Sequence, residues 1–257
     1  MTTQLIEQQN SLFVPLTDFA ISEAEEMARC HQSIAKRKDV FDKSVALAGL
    51  ADWLTYDLGL AADVAMGDFY DPLLRDCHDV ADLIVQEMLK IECCIVEDGA
   101  TDFTISPDVY PEMDSRRIAY VVVRLPEDLV ELEILGFLPA IALIDRLDRD
   151  GDISLSELYA PEDLTFEIRA AAFDLADFGH LEELVKLDID PQIMLSMICG
   201  NLQDAVAMRE LTLKTKQEQS GELVDSSPET RDVIAQEQQE KIARVILRRL
   251  KAMWQDS

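Results

Sequence analysis

Lys90-Ile91-Glu92-Cys93-Cys94-Ile95-Val96-Glu97 alternates along its length. Ile91, Cys93 and Ile95 fall on one face and Glu92, Cys94 and Val96 on the other, the spacing of a strand. Asp98-Gly99 follows and supplies a turn, because both residues tolerate the positive φ that a tight reversal needs. Further on, Ile118-Ala119-Tyr120-Val121-Val122-Val123 is an unbroken apolar run closed by Arg124 and Leu125. A β-branched run without alternation predicts a central strand covered on both faces. Glu131-Leu132-Glu133-Ile134-Leu135 returns to alternation, with one face toward water. Pro107, Pro111 and Pro126 lie between these runs, where no ladder hydrogen bond has to be donated. The stretch from Lys90 to Phe137 therefore predicts a small antiparallel sheet.

Upstream, Leu12-Phe13-Val14 reads as an arm or a short edge strand. Ser22-Glu23-Ala24-Glu25 has capping-box spacing, which predicts a helix from about Glu23 to Lys36, closed by the basic Lys36-Arg37-Lys38. A second helix is expected from about Asp39 to Leu58. Its apolar stripe, from Val40 through Leu47 and Leu54, is wide enough to bury against a sheet, and Gly59 stops it. Downstream, the spacing from Leu164 to Leu187 is helical, and another helix is expected from Pro191 to about Lys214. The polar, Ser- and Gly-bearing stretch 216–229 reads as a linker. The predicted class is α+β: N-terminal helices packed on the sheet, followed by a helical C-terminal part. The corresponding segments are an α+β domain over 1–160, a helical extension over 161–215, the linker, and a basic amphipathic helix over 230–257.

The totals narrow the function. The 257 residues carry a net charge of −28, which disfavours binding of nucleic acid or anionic lipid by the body and steers basic partners toward it. The longest uncharged apolar run, Ile134 to Ile144, is far short of the roughly 20 residues of a membrane span. No secretory signal is visible at the start. The five cysteines are scattered and odd in number, which fits a reducing, cytoplasmic compartment.

The landmarks of this chain resemble a cyanobacterial family catalogued as domain of unknown function 1822. Asp71-Pro72-Leu73-Leu74-Arg75 is similar to its Asn-Pro-Val-Leu-Arg, and Asp79-Val80-Ala81-Asp82-Leu83 to its Asp-Val-Ala-Asp-Leu. Ile91-Glu92-Cys93 resembles its Leu-Glu-Cys, and Val96-Glu97-Asp98-Gly99 its Val-Leu-Pro-Gly. Arg117-Ile118-Ala119-Tyr120-Val121-Val122-Val123 resembles its Arg-Ile-Gly-Tyr-Val-Ala-Val. Leu58-Gly59, Gly136-Phe137-Leu138 and Leu155-Ser156-Glu157-Leu158 complete an ordered set over roughly residues 12 to 170. The resemblance implies an α+β domain, a cyanobacterial and cytoplasmic origin, and genes near sigma factors and signalling proteins. It brings no catalytic residues.

The chemistry-bearing patterns are sparse. Asp148, Asp150, Asp152 and Glu157 fall at positions three, five, seven and twelve of a calcium loop of the EF-hand type, with Gly151 at six. Position one is Arg146, which cannot ligate, so a solvated acidic loop is the stronger reading and a calcium-responsive module the alternative. Cys30-His31 and Cys77-His78 lack the two-ligand spacing of a zinc site. No Gly-x-Ser-x-Gly and no phosphate-cradling Gly-rich loop occurs. Neither catalysis nor a cofactor is therefore expected, with an unrecognised enzyme left as the remaining alternative.

The C-terminal helix is the remaining signal. Ile242, Val245, Ile246, Leu250, Met253 and Trp254 form an apolar stripe, and Lys241, Arg244, Arg248 and Lys251 a basic one. Such a helix docks on its own body or packs in a dimer, enters a partner's groove, or lies on an anionic surface. The expectation is a non-catalytic regulatory or adaptor protein acting by protein–protein interaction, with sigma-factor or signalling control as the process the family resemblance implies. Its acidic body would attract a partner with a basic surface, and Ile242, Arg244, Ile246, Arg248, Leu250, Met253 and Trp254 would supply the contact. A homodimer stays open.

Overall fold

The computed structural model describes residues 11–64, 83–86, 89–105, 116–144, 152–171, 173, 178, 181–187, 189–202 and 236–255. For Ile144, Glu182, Glu183, Gln236, Glu237 and residues 253–255 only the backbone is described. The chain divides into two compact units, residues 1–165 and 166–257.

The first unit is a mixed assembly of helix and strand built on a six-stranded sheet. In chain order its strands are β1 (Leu12–Pro15), β2 (Ala62–Val64), β3 (Leu83–Val85), β4 (Leu89–Val96), β6 (Arg117–Arg124) and β7 (Glu131–Pro139). Their spatial order is β1-β7-β6-β4-β3-β2. β6 is buried along nearly its whole length, as its unbroken apolar run demands. The sheet is not purely antiparallel, which corrects the expectation: β4 and β6 at its centre run parallel, with Cys93 opposite Val121 and Ile95 opposite Val123. The reason lies in the connection. Gly99 does turn the chain, at φ +77°. The chain then enters a short strand β5 (Asp102–Phe103), which pairs with β8 (Ile153–Ser154), and it returns to begin β6 beside the start of β4. A parallel pair needs such a long crossover, whereas a hairpin would have given the antiparallel one.

Two layers cover this sheet. On one side lies α2 (Ile34–Asp52), which touches β1, β2, β4 and β7 and packs beside α1 (Asp18–Arg29). Gly49 of α2 sits so close to β7 that an added Cβ would meet Leu16 Cδ2 at 2.9 Å and Leu132 Cδ2 at 3.1 Å. On the other side, Phe103, Ile105, Ile153 and Leu158 close over Val96, Tyr120, Val122 and Leu138. Here Gly136 is forced by its surroundings. Its φ is +150°, and a Cβ would run into the carbonyl oxygen of Tyr159. That carbonyl accepts from Phe137 N at 3.1 Å, and Tyr159 N donates to Phe137 O at 2.8 Å. The bulge opposite Val122 and Val123 places Gly136 under this bridge.

The helix boundaries differ from those expected. Thr17, not Ser22, caps α1, its side chain accepting from Ala20 N at 3.2 Å. Ser33 caps α2, so Lys36-Arg37-Lys38 opens the second helix rather than closing the first. Positive charge at a helix start is unfavourable. It is offset because Arg37 donates to the carbonyls of His31 (2.7 Å) and Gln32 (3.2 Å), and Lys38 pairs with Asp42 at 3.0 Å. α2 widens into a π turn over Trp53–Asp57 before Gly59, at φ +65°, ends it.

The unit closes with a short α3 (Ile141–Ile144) and two 3-10 turns, Leu155–Glu157 and Pro161–Asp163, leading into α4 (Leu164–Ala171). The second unit holds most of α4, then α5 (Glu182–Lys186), a helix α6 over residues 191–202, and α7 (Gln236–Gln255). Its core gathers Phe178, Leu181, Val185, Met194 and Ile198 around Ile242, Ile246 and Leu250 of α7. Residues 216–229, expected as a linker, lie outside the described residues.

Candidate functional site

The carboxyl ends of the parallel pair β4 and β6 open into a cleft of about 1060 Å³. In open sheets with parallel strands this end is where ligands are commonly received. One wall is the first half of α2, from Lys38 to Lys43, with Phe41 facing in. The floor is the end of β4, Ile95 and Val96, with Glu97 and Asp98 just beyond it, and the far wall is the β6–β7 loop from Leu125 to Leu129, with Glu133 beside it.

The cleft exists because α2 covers β4 only in part. Lys43 reaches the sheet and donates from Nζ to the carbonyl oxygen of Cys93. One pleat further, Ile95 remains 37% exposed, although β4 is an inner strand. The β6–β7 loop turns at Pro126, whose carbonyl accepts from Leu129 N at 3.2 Å. Leu129 itself sits at φ +52°, a left-handed conformation that a leucine adopts at a cost. Strained residues of this kind cluster at binding sites.

Charge in the cleft is strongly one-sided. Lys38, Lys43 and Arg124 face Asp39, Asp42, Glu97, Asp98, Glu127 and Glu133. The bases are already engaged. Arg124 holds Glu133 at 2.6 Å and Asp98 at 3.7 Å, and Lys38 holds Asp42. The bond from Asp42, with the charges of Asp39 and Glu97, keeps the Lys38 ammonium above the ordinary lysine range. An incoming group therefore meets excess negative charge around an apolar floor. The cleft's described lining contains no histidine, cysteine or hydroxyl side chain.

The residues expected to act from the sequence are placed elsewhere. Ile242, Ile246 and Leu250 are at most 1% exposed and belong to the core of the second unit. Their stripe therefore packs into its own unit, as one of the expected alternatives has it: the residues around α7 supply the apolar surface the stripe needs. Arg248 pairs with the buried Glu167 of α4, and Arg249 lies 4.0 Å from the same carboxylate. Arg244 is exposed and pairs with Glu240 one turn back, at 2.5 Å. Lys241 lies over the ring of Phe166. The side chains of Met253 and Trp254 lie outside the described residues.

Asp148 and Asp150 of the acidic loop also lie outside the described residues. Asp152 is exposed, and the Glu157 carboxylate is engaged locally, accepting from Ser154 N at 3.2 Å in a capping box. Among the described residues no group of three or more His, Cys, Asp or Glu side chains is arranged to hold a metal ion. Sequence reasoning missed the cleft because Phe41, Ile95 and Leu125 read as ordinary core residues; only the irregular burial of β4 marks Ile95.

Among the described residues no helix is long and apolar enough to cross a membrane. No curated protein and no solved structure matches the chain. The family model described as protein of unknown function DUF1822 matches residues 14–175, which span both walls and the floor of the cleft, and the chain belongs to that family.

Proposed function

We propose that this protein is a non-catalytic regulatory or adaptor protein that binds another protein through the acidic surface of its first unit. Residues 1–165 carry 34 acidic and 12 basic side chains, so this unit holds −22 of the total charge of −28. Charge of that density accelerates encounter with a basic partner and repels nucleic acid and anionic membranes. The observation that carries the reading is Ile95, an exposed apolar side chain at the end of an inner strand, ringed by carboxylates. Large apolar groups left open inside a polar rim mark interaction surfaces. A cyanobacterial cytoplasm, with sigma-factor or signalling control as the process, is the setting this reading carries with it.

The test is affinity purification of the full chain from a native lysate at low and high salt, with bound proteins identified by mass spectrometry. A defined basic protein that is retained at low salt and lost at high salt is the expected result. Recovery of no stoichiometric protein at low salt, or of one indifferent to salt, counts against the proposal.

A further inference from the structure

We infer that the cleft at the carboxyl ends of β4 and β6 is the docking groove itself, and that its occupant is a peptide segment with an apolar anchor flanked by lysine or arginine. This rests on the protein-binding reading above and specifies its chemistry.

Two independent features select that occupant. Phe41, Ile95, Leu125 and Leu129 present apolar surface between the two walls, enough to seat one or two large side chains. Burying such an anchor supplies most of the affinity of a groove complex. Around it, Lys38, Lys43 and Arg124 are turned onto partners within the protein, while Asp39, Glu97, Asp98 and Glu127 line the opening. A cation entering beside the anchor meets Asp98, which is 99% exposed and held by Arg124 only at 3.7 Å. That contact is long enough for an incoming guanidinium or ammonium to share. A purely apolar peptide would leave the carboxylates facing it without new partners, and an acidic one would be repelled.

The probe is a fluorescein-labelled peptide, Lys-Arg-Leu-Trp-Leu-Arg-Lys, titrated with the full chain and followed by anisotropy. Two controls carry glutamine in place of every base, or glycine in place of Leu-Trp-Leu. Asp98→Lys combined with Glu127→Lys reverses two exposed rim charges without touching the core. Ile95→Ser removes the floor. Asp57→Lys combined with Asp63→Lys makes the same charge change at Asp63 of the edge strand β2, two strands from β4, and at Asp57 just before that strand. The expected result is saturable binding, weakened about ten-fold or more by the rim reversal and by Ile95→Ser, and much less by the distant reversal. Both control peptides should bind worse than the parent.

Equal weakening by the two reversals would place binding on the acidic surface at large; it would overturn the groove and leave the protein-binding reading standing. Undiminished binding of the glutamine peptide would overturn the basic half of the assignment, and of the glycine peptide the apolar half. Absence of binding by the parent peptide overturns the inference. The reading beneath it falls only if the purification also returns no salt-sensitive partner.

Discussion

Glu92 and Arg117 show how one pair of residues can tie the sheet together. They lie on the adjacent parallel strands β4 and β6, 3.4 Å apart, each with a side chain at most 3% exposed. Arg117 also sits 5.9 Å from the centre of the Tyr120 ring. They belong to two of the landmarks by which the sequence resembles its family, separated by 24 residues and united only by the crossover. Burying two charges is costly, and removing one takes a charge partner away from the other. Arg117→Met is therefore expected to destabilise the first unit by about 3–5 kcal/mol. Glu92→Met combined with Arg117→Met should cost far less, because both charges then stay out of the interior. Urea melts of the two variants decide this. A double variant as unstable as the single one would show that the pair's worth is in packing, not in charge.

Elements differ in how much of them could be read from the residues alone. β4, β6 and β7 were legible because burial on one or both faces is written directly into alternation or its absence. Their pairing was not, because Asp98-Gly99 looks the same whether it closes a hairpin or starts a crossover. The start of α1 is not legible for a similar reason: Ser22 and Thr17 both carry a capping oxygen, and it is Thr17 that accepts from Ala20 N. The apolar stripe of α7 was legible, but a stripe does not say whether it meets its own unit or a partner. The cleft was not legible at all, since the exposure of Ile95 depends on where α2 stops covering the sheet.

Two element-scale predictions follow from the described geometry. Leu129 holds a left-handed turn that glycine adopts freely, so Leu129→Gly removes about 1–2 kcal/mol of strain. It loses only a half-buried side chain and some chain entropy in return. The thermal midpoint should stay level or rise, whereas Leu132→Ala on the neighbouring strand, at a fully buried position, should cost about 2–5 kcal/mol. A comparable loss from Leu129→Gly would mean that the leucine is a structural anchor of the loop. In the second unit, Arg248 and Arg249 share Glu167 unequally. Burial, and then the adjacent Arg248 charge, push the Arg249 guanidinium down to about 10. A folded value below the unfolded one disfavours the native state while both forms are protonated, and the penalty is relieved only as pH rises through about 10. At neutral pH, Arg249→Met should therefore leave stability unchanged or higher. Arg248→Met strips the buried Glu167 of its direct partner and should lower it by a few kcal/mol, about 3 by analogy with other broken buried pairs. Equal losses in calorimetry would contradict this ranking.

At the scale of the whole molecule, repulsion competes with the pairs just described. The −22 of residues 1–165 is distributed over one compact unit, and its mutual repulsion is strongest at low ionic strength, because the Debye length shrinks from about 30 Å at 0.01 M to about 8 Å at physiological salt. Exposed pairs that salt would weaken, such as Arg29–Glu25 and Lys38–Asp42 among the described residues, contribute little. Glu92–Arg117 is too deeply buried for salt to reach. Repulsion therefore wins, and sodium chloride should raise the melting midpoint of the first unit steadily from low to near-physiological ionic strength and beyond. Urea should for the same reason denature it more readily at low salt than guanidinium chloride does relative to its usual strength, because guanidinium chloride screens while it denatures. Binding of the basic peptide must move the other way, since the same counter-ions that quiet the repulsion compete for Asp98 and Glu127. Stability and affinity with opposite salt slopes are the signature expected of one acidic surface serving both roles. If instead the midpoint fell with salt while affinity also fell, the acidic residues would be acting as a network of ion pairs, and the negative field could not be what draws a partner in.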